Sequence, residues 1–248
     1  MPGGAFDMGC FRDPEHDCGG DAAPRHTVSL DGFLIDRTEV TVAAYRRCSD
    51  AGACKTDGIT TQTDMGGHPA ECNGRRSDRD DHPINCVTWT DADSFCKWAD
   101  KRLPTEAEWE KAAGGTERRS FPWGNDGPDG REDLVVILRL HGKSAPRGER
   151  SPKYVNTTWP VGGKPAGASP YGALDMLGNV WEWTADWYDA AYYARSPSAN
   201  PQGPEQGSFR VMRGDVDEAF MRVQNRAKLA PTSRLGVLGF RCARSVPR

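Results

Sequence analysis

Eight cysteines, at Cys10, Cys18, Cys48, Cys54, Cys72, Cys86, Cys96 and Cys242, constrain this 248-residue chain more than any other feature. Their number is even and no C-x-x-C occurs, while the five histidines (His16, His26, His68, His82, His141) are scattered singly. Tetrahedral zinc sites draw on close Cys or His pairs, so disulfides are the better account. The neighbours Cys10/Cys18, Cys48/Cys54 and Cys72/Cys86 each bracket a polar, Gly- or Asp-rich loop, where a covalent staple replaces missing core. Spacing alone leaves the pairing open, since eight cysteines allow on the order of a hundred connectivities. Disulfides imply an oxidising compartment: periplasm, cell surface or secreted. Met1-Pro2-Gly3-Gly4 has neither a charged n-region nor an apolar h-region, so no targeting signal is read in this chain.

Length allows one large domain, and no polar linker divides it, so the expectation is a single domain over residues 1–248. With 28 glycines, 18 prolines and 8 tryptophans, the composition describes a loop-rich globule whose core is built on large aromatics. A formal charge of −3 disfavours nucleic acid as a partner. Nowhere does an apolar run approach the roughly 18 residues that a bilayer demands, so no membrane insertion is expected.

Punctuation is clearest around three helices. Thr41 can cap a helix running through Tyr45. Thr90-Asp91-Ala92-Asp93 reads as the start of a second, with Ala92, Phe95, Cys96 and Ala99 on one face. Thr105 and Glu108 form a capping box for a third, Glu106 to Ala113, stopped by Gly114-Gly115. Ser49 to His82 is polar and aperiodic and reads as a long stapled loop. Short strands are expected at 33–36, 209–212 and 239–242. Few helices, short strands and abundant loops give an α+β fold.

Four segments then stand together in order: Ile35-Asp36-Arg37-Thr38-Glu39-Val40-Thr41; Lys101-Arg102-Leu103-Pro104-Thr105-Glu106-Ala107-Glu108-Trp109-Glu110; Ser169 to Trp183, with Leu174-Asp175-Met176-Leu177-Gly178-Asn179-Val180-Trp181-Glu182-Trp183 at its end; and Gly239-Phe240-Arg241-Cys242. Spread over nearly the whole chain, they resemble the formylglycine-generating-enzyme (sulfatase-modifying-factor) superfamily. The resemblance implies an elaborated C-type-lectin-like fold with little regular secondary structure. It also implies that Cys96 and Cys242, which match two joined positions in the family's oxidase, form a structural disulfide. Read by its own chemistry, the second segment is structural. Thr105 and Glu108 cap, Trp109 anchors, and the acids Glu106, Glu108 and Glu110 have no sequence neighbour with which to form a catalytic pair.

Hard cations take oxygen ligands, and a turn with open carbonyls between two carboxylates supplies them. The resemblance accordingly implies a structural calcium held by the side chains of Asp175 and Glu182 and the main-chain oxygens of Met176, Gly178 and Val180. A second calcium, found in some relatives, would need ligands from Asn125 to Pro160, where this chain departs from the family's pattern, and no site is assigned there. The family's oxidase works through two cysteines and copper. The interval that would carry them, Asp215 to Leu238, contains none. Lone histidines do not offer the facial site that an iron-dependent relative needs. Neither copper nor iron is therefore expected, and no catalytic residue is assigned. The leading expectation is a ligand-recognition domain for an unidentified protein or small molecule, resembling the variable proteins of diversity-generating retroelements. Asp215, Asp217, Glu218, Arg222 and Arg226 are its candidate contacts. An oxidoreductase of altered chemistry and a structural module of a larger secreted assembly are the alternatives. The sequon Asn156-Thr157-Thr158 and the tripeptide Arg213-Gly214-Asp215 are read as coincidence.

Overall fold

The computed structural model describes residues 1–10, 21–57, 63–65, 68–117, 119–137, 158–218 and 220–246, with the side chains of 63–65 and 68–70 left aside. His16, Cys18, His141 and the sequon's Asn156 and Thr157 lie outside the described residues.

Thr41 sits in extended backbone and its hydroxyl accepts from the Ala44 amide, opening helix α1 (Val42–Asp50) as expected. Helix α2 (Trp89–Trp98) starts two residues earlier than read. Its cap is Thr88, whose hydroxyl accepts from the Asp91 amide while the Asp91 carboxylate accepts from the Thr88 amide. Two threonines each precede an acid by three positions, and the pattern does not separate them. The structure gives Asp93 to an ion pair with Lys97 instead. Ala92, Phe95 and Cys96 face the core as the spacing predicts. Helix α3 (Glu106–Gly114) carries the full Thr105–Glu108 capping box and ends at Gly115, at φ 74°.

Strands are short. Gly4–Met8 (β1) pairs antiparallel with His26–Leu30 (β2), and Phe33–Ile35 (β3) pairs with Ala243–Ser245. Inside the stretch read as an aperiodic loop, Thr63–Met65 (β4) and His68–Ala70 (β5) form a small hairpin. The main sheet comprises Trp181–Trp187 (β6), Arg210–Arg213 (β7), Ala227–Leu229 (β8) and Leu238–Gly239 (β9), in the order β8-β7-β6-β9. In that sheet β9 runs parallel to β6. The expected strand at 239–242 is split. Gly239 ends β9, Phe240 to Cys242 turn inward, and Ala243–Ser245 (β10) closes on β3.

Every residue of α3 is buried, four of them charged. Buried charges persist only where partners are provided. The helix therefore dictates where its neighbours place opposite charge and carbonyls. On the main core side, Trp183, Phe240, Phe95 and Val237 pack with the disulfide Cys96–Cys242. Cys48–Cys54 and Cys72–Cys86 are also joined. These are the neighbour pairs, and Cys96–Cys242 is the pairing implied by the resemblance. Cys10 is disulfide-bonded too.

Candidate functional site

The turn from Asp175 to Glu182 is backbone-driven. Asp175, Gly178 and Asn179 all take the left-handed conformation, at φ 56°, 79° and 58°. Gly178 is obligatory, because a Cβ there would lie 2.2 Å from the Val136 carbonyl oxygen. Asn179 tolerates positive φ and locks the turn: its amide donates to Val136 O (2.9 Å) and its side-chain oxygen accepts from the Trp159 amide (2.9 Å). The Gly178 amide donates to the Asp215 carbonyl, tying this turn to the segment after β7.

Glu182 is fully buried and is held by Arg241, itself fully buried. Arg241 Nη2 reaches Glu182 Oε1 and Nε reaches Oε2, each at 2.7 Å, and Trp109 Nε1 donates to Oε2 at 2.9 Å. Arg241 also donates to the carbonyls of Asp36, Arg37, Leu174 and Asp175. The Gly-Phe-Arg-Cys segment is thus one device, with Phe240 in the core, Arg241 on Glu182 and Cys242 on Cys96.

Oxygen donors suited to a hard cation are present beside this ion pair. The carbonyl oxygens of Met176 and Val180 lie 3.3 and 3.5 Å from the position a Cβ on Gly214 would take, with the Trp109 ring 3.4 Å from it. Neither oxygen accepts a hydrogen bond among the described residues. The Asp175 carboxylate accepts from the Gly162 amide at 2.5 Å. Glu39, which sequence reasoning left as an unremarked part of a motif, is 2% exposed, and both of its carboxylate oxygens are buried without a partner. Burial first, and then the neighbouring Asp175, push its carboxyl well above the usual range, against the pull of Arg241. The backbone oxygens, Asp175 and this excess of acid fit a divalent cation. The Glu182 carboxylate, as placed, is filled by Arg241 and Trp109. Among the described residues no three His, Cys, Asp or Glu side chains form a metal-holding group.

The expected ligand contacts separate into two kinds. Arg226 is not on the surface: its side chain is 1% exposed and clamps Glu106 through Nε (2.7 Å) and Nη2 (2.8 Å). Arg213 joins it, reaching Glu106 at 2.8 Å, Glu110 at 2.6 Å and the Val223 carbonyl at 2.6 Å. Burial raises the Glu106 carboxyl, but Arg226 and Arg213 outweigh it and hold it below the usual range. Asp186 accepts from the Glu106 amide, and burial followed by the charge of Glu106 pushes its carboxyl up to about 8. The acids at positions 106 and 110 are therefore buried ion-pair partners, Glu106 in the first turn of the helix and Glu110 one turn on. Their i, i+4 spacing, which stacks both on one face, was the available signal. Asp215 is buried, whereas Asp217, Glu218 and Arg222 are partly exposed beside Phe220, which is 59% exposed. Arg222 lies over the Phe121 ring at 4.8 Å. Arg213 is fully buried, so the Arg-Gly-Asp tripeptide is not displayed.

A profile described as the sulfatase-modifying factor enzyme 1-like domain matches residues 1–246. The chain belongs to this family. A formylglycine-generating enzyme of Streptomyces coelicolor is 35% identical over 98% of this chain and 87% of its own length. An inactive C-alpha-formylglycine-generating enzyme 2 of Bos taurus is 37% identical over 67% of this chain and 51% of its own length. Among solved structures, PvdO from Pseudomonas aeruginosa superposes with a TM-score of 0.75 at 27% identity, over 99% of this chain and 93% of that one. Treponema denticola variable protein 1 shares the fold, with a TM-score of 0.69 at 23% identity over 98% of this chain and 93% of that one. The architecture is the elaborated C-type-lectin-like fold of the family. No described helix is long and apolar enough to cross a membrane.

Proposed function

We propose that this chain is a non-catalytic ligand-recognition domain of the sulfatase-modifying-factor family. It works outside the cytoplasm and is stiffened by disulfides and by a calcium ion at the Asp175–Glu182 turn. The observation that carries the reading is in the segment from Asp215 to Leu238. It has no cysteine, its own Arg226 is spent in a buried pair with Glu106, and Arg213 just before it is spent on Glu106 and Glu110. Thiolate chemistry needs a thiolate. The disulfides at Cys48, Cys72 and Cys96 support an oxidising compartment.

In this reading, ligand is met by the exposed rim of the same segment: Asp217, Glu218, Phe220 and Arg222. Buried pairs beneath hold the rim still, so little conformational freedom is lost on binding. When bound, calcium would supply positive charge to an acidic interior and hold the carbonyls of Met176, Gly178 and Val180, with Asp175 beside them. Because the Gly178 amide donates to Asp215 O, order at the turn passes directly to the rim.

The test of the central claim is an oxidation assay. Incubated with a cysteine-containing sulfatase-motif peptide, copper and a thiol reductant, the protein leaves the peptide mass unchanged. Aldehyde formation above a no-protein control overturns the reading in favour of an oxidoreductase with altered active-site chemistry.

A further inference from the structure

The sheet formed by β3 and β10 is left open along one edge. On the outer side of β3 the place is taken: the Phe33 amide donates to Met1 O at 3.2 Å, and the Met1 nitrogen donates to Phe33 O at 2.7 Å. On the outer side of β10, Arg102 forms one bridge with Ala243, through bonds of 2.9 and 2.7 Å. Backbone groups of successive strand residues face opposite sides. Cys242 O and the Val246 amide bond to Asp36 and Gly32 on the β3 side, and Ala243 bonds to Arg102 on the other, so the amide and carbonyl of Ser245 point outward. No backbone partner meets them among the described residues. Such an edge is a template for another strand.

A cavity lies on each face of this edge, and Arg102, Ser245 and Val246 line both. On the face of the Ser245 side chain, a cavity of about 440 Å³ is bounded by Trp89, by the Arg102–Glu108 fork and by the acids Asp31 and Asp93. On the other face, where Arg244 stands across the ladder from Leu34, a cavity of about 560 Å³ holds Leu34 and Val246, 55% and 45% exposed, among Lys97, Lys101 and Arg244. These cations have partners. Lys97–Asp93 and Arg244–Asp100 are surface pairs, however, with Lys97 70% and Arg244 58% exposed, and such pairs are exchanged at little cost.

An extended segment laid along β10 would bond Ser245 through its main chain and send alternate side chains into the two cavities. Charge selects the occupant. A second copy of the same edge would bring lysine and arginine against their own kind. Acidic side chains on the Leu34 face would instead meet Lys97, Lys101 and Arg244, with their stems on Leu34 and Val246. A lysine between them would lay its stem along Trp89 and its ammonium toward Asp93.

We propose that the outer edge of β10 is a docking site for an extended acidic segment of a partner protein, held by strand addition at Ser245, with acids in alternate positions about a basic residue. The site shares no residue with the rim from Asp217 to Arg222 and stands whether or not that rim binds a ligand.

The probe is a fluorescein-labelled Thr-Glu-Lys-Glu-Thr peptide with blocked ends, titrated with the whole protein by fluorescence polarisation at low salt. Saturable binding is expected, weakened by added salt. The charge-exchanged peptide Thr-Lys-Glu-Lys-Thr, and the probe N-methylated at its lysine so that it cannot donate to Ser245 O, should bind about tenfold more weakly or worse. Ser245→Pro removes the outward amide, a change that an edge strand tolerates, and should lower affinity for the probe by a similar factor while the melting temperature holds. Ser245→Ala should bind within about twofold of wild type. Arg244→Glu should weaken binding of the probe and covers the case in which the proline variant folds poorly. No binding up to millimolar protein, equal affinity for the N-methylated probe, or affinity unchanged in both Ser245→Pro and Arg244→Glu overturns the inference. A wild-type protein that sediments as a dimer, and as a monomer once Ser245→Pro is introduced, puts a second copy on the edge and overturns it likewise.

Discussion

Cutting the bridge between Cys96 and Cys242 tests how this loop-rich chain is held together. The three bridges among the described residues close loops with separations of 6, 14 and 146 residues, and no loop overlaps another. Their contributions should therefore add independently. Chain-entropy arithmetic gives about 2, 3 and 5 kcal/mol respectively. Cys96 and Cys242 are fully buried, and Cys48 and Cys54 nearly so, so that the local cost of exchanging a half-cystine for serine is comparable at the two sites. Cys242→Ser should then cost about 3 kcal/mol more than Cys54→Ser. For a domain of this size that corresponds to a melting temperature lower by roughly 6–12 °C. The assay is guanidinium denaturation without reductant, paired with peptide mapping that recovers Cys96 as the free thiol. The slope of unfolding free energy against denaturant should also rise more for Cys242→Ser, because the unfolded chain expands when its largest loop opens. Equal or greater loss from Cys54→Ser would refute the loop argument. A large loss from Cys242→Ser with no change in slope would place the effect in native packing instead.

Two further outcomes are expected. Arg226→Gln should cost about 3–5 kcal/mol by denaturant unfolding, since it strips a partner from the buried Glu106, whereas Arg222→Ala should cost at most about 1 kcal/mol, the worth of an exposed cation–ring contact; similar losses would mean that Arg226 is not load-sharing with Arg213. Asp186 has its folded carboxyl pushed up to about 8 from an ordinary 3.8, so the folded state keeps a proton that the unfolded chain gives up between those values. The stability this contributes is complete below the lower value and is lost as pH rises through the upper one. Melting temperature should decline across that window, less steeply in Asp186→Asn, and identical slopes would dismiss the assignment.

What could be read from the chain follows from which interactions are local. The Thr105–Glu108 box, the Thr41 cap and the Gly115 stop are decided within four residues, and each is legible. The start of α2 was misplaced because Thr88 and Thr90 offer equivalent local chemistry, and tertiary packing selects between them. Gly178 and Asn179 announce a left-handed turn, but not that Glu182 behind it faces Arg241. The pairing of Glu106 with Arg226 spans 120 residues, and no spacing rule reaches that far. Arg226 was therefore assigned to the surface, the usual place for an arginine, although the all-buried face of α3 had reserved it for the interior. Glu39 was invisible for the opposite reason, since its distinction is the absence of a partner.

The closing segment has a consequence for how the protein is made. Phe240 completes the core, Arg241 neutralises Glu182, Cys242 captures Cys96, and β10 supplies the partner of β3 and a bridge to Arg102. All of these wait on residues 240–245, so a nascent chain emerging from N to C terminus carries a half-finished interior until those residues appear. During that interval Glu182 lacks its counter-charge and Cys96 is an open thiol in a chain that also carries the thiols of the two short loops, Cys48–Cys54 and Cys72–Cys86. Long-range closure of this kind is slow and exposes apolar surface in the meantime. Production should depend on a disulfide isomerase to release Cys96 from premature partners. Stop codons that remove residues 240–245 should yield insoluble protein.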